Sequence, residues 1–445
     1  MRYCPFQIVE HFHMKWNRGM EIILGISRLE RHHYIAFVGW VSKIITAVLL
    51  LINTRFLIDL IGIEGFAAHS IIFSLIGWLA LFNLGLPNAV QNTISKYRAN
   101  KLSYVDIFSV VEFLVIIIFL VAIPILLLLS YGVKKFLLTN YQFVNLLSLF
   151  ISLFFIFLNG LTEIYSKILF AEHKGYLPNM YPAIISILIF SILIVLKFFV
   201  LTKFNLVLCS YFIPYAFVFA LAHMQSVGFV LPKFNRLIVK ELLSLSKRFF
   251  IFALLAALTL RIDYIIMSKI LNPQEIAIYN VDFKVFSLFS VLYNTLLFAL
   301  WPVMSELLHK REFLLAKMKL FSTLKIGFVL VISGTLFVII FKNSLFQIIT
   351  GKKELYLSYT TAILTGIYFL VRVWTDTFAA AVQSINEVNI LIKTVPFQAF
   401  ISLVGQWFFG NLYGINGIFL GLILSFLLTV SWILPIKFYK IIKEV

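Results

Sequence analysis

Charged side chains are scarce in this sequence. Asp, Glu, Lys and Arg make up 13% of its 445 residues, while hydrophobic residues make up 62%. Soluble globular domains carry about 25% charged residues, and a water-soluble fold could not bury this much apolar surface. A lipid bilayer is itself an apolar solvent. The composition, with a mean hydropathy of +1.00, therefore excludes an ordinary soluble domain and indicates an integral membrane protein.

The sequence also has few residues of the kinds that build reactive sites. It contains two cysteines, Cys4 and Cys209, which support no disulfide framework. Its eight histidines have no set of cysteines or carboxylates beside them, so we predict no metal site. There is no P-loop, so ATP does not drive the chain directly. No catalytic constellation is present, and we predict that the protein is not an enzyme.

Apolar runs long enough to cross a bilayer recur along the chain. We predict twelve membrane spans, with short loops, near residues 34–54, 66–86, 107–131, 143–162, 180–200, 206–225, 249–268, 283–303, 321–341, 357–381, 394–412 and 416–436. The first and tenth are the least apolar, because Lys43 interrupts one and Arg372 and Asp376 interrupt the other.

Lys and Arg are more frequent in the termini and the even-numbered loops than in the odd-numbered loops. The positive-inside rule therefore places both termini in the cytoplasm. Membrane topology therefore explains the +18 net charge, and we do not predict nucleic-acid binding. Residues 1–33 hold acidic as well as basic residues and no compact apolar core, so we predict a cytoplasmic segment and not a signal peptide.

The fold expected is all-α, with two six-helix bundles around a central cavity. The predicted parts are bundles at 34–225 and 249–445, joined by a cytoplasmic amphipathic linker at 226–248, where apolar residues recur at helical spacing. The two halves also share a weak sequence similarity. Glu64 aligns with Glu275 and Pro87 with Pro302, although chance similarity between apolar helices is an equally good explanation.

Several charges fall inside the predicted spans, where a charge costs on the order of 2.5–3.5 kcal/mol at the bilayer centre. They are Lys43, Arg261, Asp263, Arg372 and Asp376, with Asp282 and Lys284 at the start of span eight. Such residues usually face a bundle interior or a wet cavity. Arg261 and Asp263 are two residues apart, which predicts that they project to opposite sides of one helix.

Each charge also has a simpler explanation. Arg372 and Asp376, at i and i+4, could only neutralise each other, and Lys284 could extend to the membrane interface. The functional hypothesis is a lumen in which Lys43, Arg261, Arg372 and Lys284 attract an anion such as a diphosphate head group. Asp263 and Asp376 would then bind a coupling proton or sodium ion. Polar side chains in the spans, Asn83 among them, could bind sugars or simply join helices.

Three segments resemble conserved blocks of bacterial O-antigen flippases, the polysaccharide biosynthesis export proteins of the multidrug/oligosaccharidyl-lipid/polysaccharide exporter superfamily. They are Arg55–Ala99, with Gly62, Gly65, Gly77–Trp78 and Asn83–Ala89; Arg261–Val281, with Asp263, Ala277 and Tyr279; and Leu300–Glu306. The length, the twelve spans and the inward termini agree with this family along the whole chain. The long stretch before span one departs from it.

The resemblance implies a MATE-like fold in the bacterial inner membrane. It also implies an undecaprenyl-diphosphate-linked O-antigen unit as cargo, moved from the cytoplasmic to the periplasmic leaflet by alternating access. A proton or sodium gradient would drive the cycle, with no bound cofactor. Expected partners are the lipid-linked oligosaccharide, inner-membrane lipid, an O-antigen polymerase and a chain-length regulator.

Rival functions remain open at this point. A capsule or teichoic-acid exporter would have similar motifs, and a cation-coupled multidrug antiporter belongs to the same superfamily. The antiporter should have more carboxylates than cations inside its spans, whereas here the cations Lys43, Arg261 and Arg372 outnumber the carboxylates Asp263 and Asp376. A polymerase or glycosyltransferase is disfavoured because it generally carries a large periplasmic loop.

Overall fold

The computed structural model describes residues 31–384 and 389–443, and within these ranges the secondary structure is helical. All but the last three residues of the predicted cytoplasmic segment 1–33 lie outside them. The first half contains α1 (Arg31–Ser74), α2 (Ile76–Leu79), a 3-10 turn (Ala80–Asn83), α3 (Leu86–Ala99), α4 (Val105–Phe136), α5 (Leu146–Ala171), α6 (Tyr176–Phe198) and α7 (Phe204–Ser226).

The second half contains α8 (Arg236–Leu260), α9 (Asp263–Ile270), α10 (Pro273–His309), α11 (Phe313–Thr350), α12 (Tyr359–Gln383), α13 (Asn389–Tyr413), α14 (Ile415–Leu427) and α15 (Val430–Lys443). The connections lie at two faces of the bundle: the Tyr104 hydroxyl donates to Glu172 Oε1 at one face, and Asn205 Nδ2 donates to the Phe143 carbonyl at the other. Face A carries the connections at 100–104, 172–175 and 227–235. Face B carries those at 137–145, 199–203 and 351–358.

Eight of the described helical segments are long and apolar enough to cross a membrane. One of them, Phe37–Asn83, covers the first two predicted spans, so nine of the twelve predicted spans lie on these segments. The other three predicted spans, seven, ten and eleven, correspond to α8–α9, α12 and α13. Span seven contains Arg261 and Asp263, and span ten contains Arg372 and Asp376. The helix order is consistent with twelve spans.

Breaks in the helices set the positions of the spans. Gly62 interrupts α1 with a φ of 70° and a ψ of −178°, where the sequence predicted a turn. In the second half Asn272 begins α10 with a capping box, because its side chain accepts from the Glu275 amide while the Glu275 carboxylate accepts from the Asn272 amide. The aligned residues Glu64 and Glu275 therefore both follow a helix break.

The amphipathic segment at mid-chain is not a separate interfacial helix. Asn235 caps the start of α8, and the helix continues from Arg236 to Leu260 without interruption. The prediction of a linker helix separate from span seven was wrong, because the apolar periodicity passes directly into the apolar run. What separates the halves is the short segment 227–235.

The two halves contact each other near face A and toward face B. Near face A, α3 packs against α8, and Lys96 Nζ lies 2.9 Å from Glu241 Oε1. This hydrogen bond raises the pKa of Lys96. Toward face B, α1 packs against α10 and α11, and Arg55 Nη1 donates to the Ile348 carbonyl at 2.9 Å. A central cavity lies between these two contacts.

Candidate functional site

The predicted seventh span is broken at the two charges it contains. The helix α8 ends at Leu260, Arg261 has a φ of −131° and a ψ of 6°, and α9 begins at Asp263. The expectation of one continuous helix with the two side chains on opposite sides was therefore wrong. A break exposes backbone groups, and at membrane depth this is tolerated only where protein or a wet cavity satisfies them. Here Trp78 Nε1, from the first half, donates to the Arg261 carbonyl at 3.2 Å.

A cavity of about 310 Å³ lies beside this break, between the two halves. The first half contributes residues of α2, the 3-10 turn, α3 and α5, and the second half contributes one side of α8 and Arg261. The lining residues are Gly77, Ala80, Leu81, Asn83, Gly85, Pro87, Asn88, Glu163, Phe249, Ala253, Ala257 and Arg261.

Two glycines allow the halves to approach at the cavity. A Cβ on Gly77 would lie 2.9 Å from Arg261 Cγ and 3.0 Å from its Nε, so Gly77 leaves room for the arginine side chain. Gly85 has a φ of 74°, and a Cβ there would lie 2.6 Å from the Phe250 amide nitrogen and the Ser246 carbonyl oxygen of α8. Glycine at these positions gives the cavity its shape.

The cavity has charges of both signs, one from each half. Arg261 is exposed to it from the second half, and Glu163 is exposed to it from α5 in the first half. Asn83 Nδ2 donates to Glu163 Oε2 at 3.2 Å and approaches the Gly160 carbonyl at 3.5 Å, while Asn83 Oδ1 accepts from the Gly85 amide at 2.9 Å. Asn83 therefore holds the carboxylate in position.

Glu163 was missed by the sequence reasoning. The predicted fourth span ended at residue 162, which placed Glu163 in a loop. The helix α5 instead continues to Ala171. Leu161, Ile164 and Ile168 continue the apolar periodicity past Glu163 and are buried, and this pattern could have indicated a longer span.

Asp263 is buried at the start of α9 and faces the second half, not the cavity. Its Oδ2 accepts from the Tyr279 hydroxyl at 2.7 Å, while its Oδ1 is buried with no hydrogen-bond partner. Asp282, also buried, has the same pattern: Oδ2 accepts from Thr365 Oγ1 at 2.5 Å and Oδ1 has no partner. Among the described residues no three His, Cys, Asp or Glu side chains form a metal site.

Arg372 and Asp376 pair along one face of α12. The Arg372 Nη2 to Asp376 Oδ2 distance is 2.9 Å, and Arg372 Nη1 donates to the Tyr368 hydroxyl at 3.3 Å. The guanidinium also lies 5.5 Å from the centroid of the Phe426 ring. These contacts lie within the second half and match the local-neutralisation alternative. Arg372 does not line the cavity.

Lys43 and Lys284 also lie away from the cavity. Lys284 Nζ donates to Thr54 Oγ1 of α1 at 2.9 Å and lies 5.1 Å from the centroid of the Phe66 ring, so it joins the two halves. It does not extend to an interface. Lys43 is exposed on α1, on the same side as Thr54 and about three turns from it. Of the four predicted cations, Arg261 lines the cavity, and a lumen shared by all four stays a prediction.

Comparison with known proteins adds a family to this geometry. A family model described as polysaccharide biosynthesis protein matches residues 33–308. A protein of Yersinia pseudotuberculosis named for O-antigen export is 34% identical over 429 residues, covering 94% of this chain and 98% of the relative. A protein of Salmonella typhi named for O-antigen transport is 34% identical over 425 residues, covering 94% of this chain and 98% of the relative.

Two solved structures resemble the fold. One is an inward-facing multidrug resistance MATE family transporter of the MOP superfamily, with a TM-score of 0.75 at 12% identity, covering 92% of this chain and 99% of that one. The other is the lipid II flippase MurJ in an inward closed conformation, with a TM-score of 0.67 at 17% identity, covering 92% of this chain and 90% of that one. The expectation of an all-α, MATE-like membrane fold is confirmed.

Proposed function

This chain belongs to the polysaccharide biosynthesis protein family, and we propose that it is a flippase for undecaprenyl-diphosphate-linked O-antigen repeat units. The cargo moves from the cytoplasmic to the periplasmic leaflet of the bacterial inner membrane by alternating access. The relatives named for O-antigen export and transport support this substrate class. Translocation is a transport step in which no covalent bond of the cargo is made or broken.

The observation that carries the proposal is the position of Arg261. Its side chain reaches a cavity between the two halves, at a helix break, where a cation attracts the diphosphate of a lipid-linked sugar. Movement of one half relative to the other would expose this site to each side in turn. Lys43, Lys284 and Arg372 are proposed to contact the cargo elsewhere on its path.

Transport is proposed to be coupled to a proton or sodium gradient at Asp263 and Asp376. Asp263 supports this role because its carboxylate is buried and its side-chain hydrogen bond comes from a neutral group, the Tyr279 hydroxyl. Asp282 is buried in the same way and is added to the candidates.

An Asp263→Asn protein in liposomes should move cargo at the same rate with and without an imposed proton or sodium gradient. Stimulation equal to that of the wild type would disprove coupling through Asp263.

The direct test replaces Arg261 in cells that lack the chromosomal copy. Arg261→Ala should reduce surface O-antigen by roughly 10- to 100-fold, because a charge-assisted contact to phosphate in the cavity is lost, and Arg261→Lys should retain part of the activity. Arg236→Ala, at the exposed start of α8, is the matched control. Equal O-antigen ladders from Arg261→Ala and Arg236→Ala, at equal membrane levels, would overturn the proposal.

Two alternatives have specific support. A capsule or teichoic-acid unit has the same lipid diphosphate, and the cavity would bind it in the same way. A cation-coupled multidrug antiporter is favoured by Glu163, since a carboxylate in the cavity could bind an organic cation, and by the MATE-like fold. Drug resistance lost in Glu163→Gln, with normal O-antigen, would favour the antiporter.

The cellular setting is also proposed from the family. We place the chain in the bacterial inner membrane with face A and both termini toward the cytoplasm. An O-antigen polymerase and a chain-length regulator would act on the translocated unit at the periplasmic side.

A further inference from the structure

Glu163 has no role in binding a diphosphate. A carboxylate repels phosphate, yet it lines the same cavity as Arg261, and in the described part of the chain it forms no ion pair with that arginine. Placing like charges next to each other in an interface costs several kcal/mol. A phosphate held at Arg261 must therefore be kept away from Glu163, and a different part of the cargo must lie there.

The surroundings of Glu163 suggest what that part is. Its Oε2 accepts a hydrogen bond from the Asn83 amide, and the side chain lines the cavity. An ionised carboxylate only accepts hydrogen bonds, so its partner must be a donor. The hydroxyls of a sugar are donors, and the sugar directly attached to the diphosphate lies next to the phosphates.

The size of the cavity limits how much cargo it can hold. About 310 Å³ is at the small end of ligand pockets and cannot enclose a whole lipid-linked oligosaccharide. A fragment containing a phosphate and one sugar fits a cavity that holds one cation from the second half and one fixed carboxylate from the first half. The remaining sugars and the lipid must lie outside the cavity.

We propose that Glu163, held by Asn83, recognises hydroxyl groups of the first sugar of the cargo while Arg261 holds the diphosphate. This inference rests on the proposed function and adds a subsite to it. The pair sets the orientation of the cargo, because reversing it would place phosphate against carboxylate. A lipid diphosphate without a sugar would use Arg261 alone.

Purified protein in nanodiscs tests this assignment with two radiolabelled lipids. One is undecaprenyl diphosphate, and the other is undecaprenyl-diphosphate-linked N-acetylglucosamine. Glu163→Gln should weaken binding of the sugar-bearing lipid by roughly tenfold and leave binding of the bare lipid unchanged, because a charge-assisted hydrogen bond is lost. Arg261→Ala should weaken binding of both. Glu312→Gln, exposed in the connection before α11, is the matched control.

Retained binding of bare lipid shows that the Glu163→Gln protein is folded. If this variant does not purify, Asn83→Ala should give a smaller selective loss of about threefold, because the carboxylate is no longer held. Equal loss for the two lipids, or no loss for either, would overturn the subsite while leaving the flippase proposal intact. A wild-type protein that binds neither lipid would instead overturn the proposed function.

Discussion

At the scale of single residues, Arg372 and Asp376 form a partly exposed ion pair on α12. Removing one partner leaves the other charge without its neutralising contact. Arg372→Met should therefore lower the free energy of unfolding by about 1–3 kcal/mol, below the usual value for fully buried pairs because the two side chains are 24% and 28% exposed. Thermal unfolding in detergent measures this.

The double variant Arg372→Met/Asp376→Leu is the control for that measurement. It removes both charges and should unfold at a higher temperature than the single variant. If the single and double variants unfold at the same temperature, charge neutralisation is not what holds these residues in place. A direct role in the lumen would then be the better explanation.

A residue of the site was predictable from the sequence when its charge lay inside an apolar run, and was missed when its charge lay near the end of a predicted span. Arg261 is a charge in an apolar run, which made it a candidate from the sequence, and its side chain lines the cavity. Glu163 is four residues from Lys167 near the end of a predicted span, so it resembled an ordinary loop charge. Only the length of α5, set by packing against neighbouring helices, places it in the cavity.

At the scale of helices, Gly85, the residue before α3, lies against the backbone of α8. Gly85→Ala should destabilise the protein by at least about 1 kcal/mol, because alanine is strained at a φ of 74° and its Cβ would meet backbone atoms at 2.6 Å. Gly132→Ala is the matched control, since nothing lies within 4 Å of its Cβ position in α4. It should be neutral or slightly stabilising. Equal unfolding temperatures would contradict the packing account.

The Lys96–Glu241 pair joins α3 and α8 near face A, and its loss should loosen that contact. Lys96→Glu places two carboxylates together and should increase labelling of Asn88→Cys in the cavity by about two- to fivefold, the range expected for an exposed pair. A hydrophilic maleimide reports the rate in a background where Cys4 and Cys209 are serine.

The charge-swapped variant Lys96→Glu/Glu241→Lys restores the opposite charges and should restore slow labelling. Fast labelling in the swapped protein would mean that the pair does not hold the two helices together. High salt should reduce the difference between all of these variants, because exposed charges are screened.

The helix breaks were predictable only where a residue type marks them. Gly62 and the Asn-Pro at 272–273 signalled breaks, and the structure has them. The interruption at Arg261 and Ile262 contains neither glycine nor proline. The Arg261 carbonyl accepts a hydrogen bond from Trp78 in the other half, a contact between distant residues that no local pattern encodes.

At the scale of the whole molecule, the placement of the connections at two faces makes orientation testable. In the sequence, Lys and Arg are more frequent in the even-numbered loops, which include the face A connections, than in the odd-numbered loops, and this predicts that face A is cytoplasmic. Lys353→Cys in the exposed face B connection should react with a membrane-impermeant maleimide added outside spheroplasts, whereas Lys233→Cys at face A should react only after the membrane is opened. Both variants use the background without native cysteines. Labelling of Lys233→Cys in intact spheroplasts would show that face A is periplasmic, opposite to the prediction. The Lys96–Glu241 pair would then close the periplasmic side of the cavity, and the proposed direction of transport would be reversed.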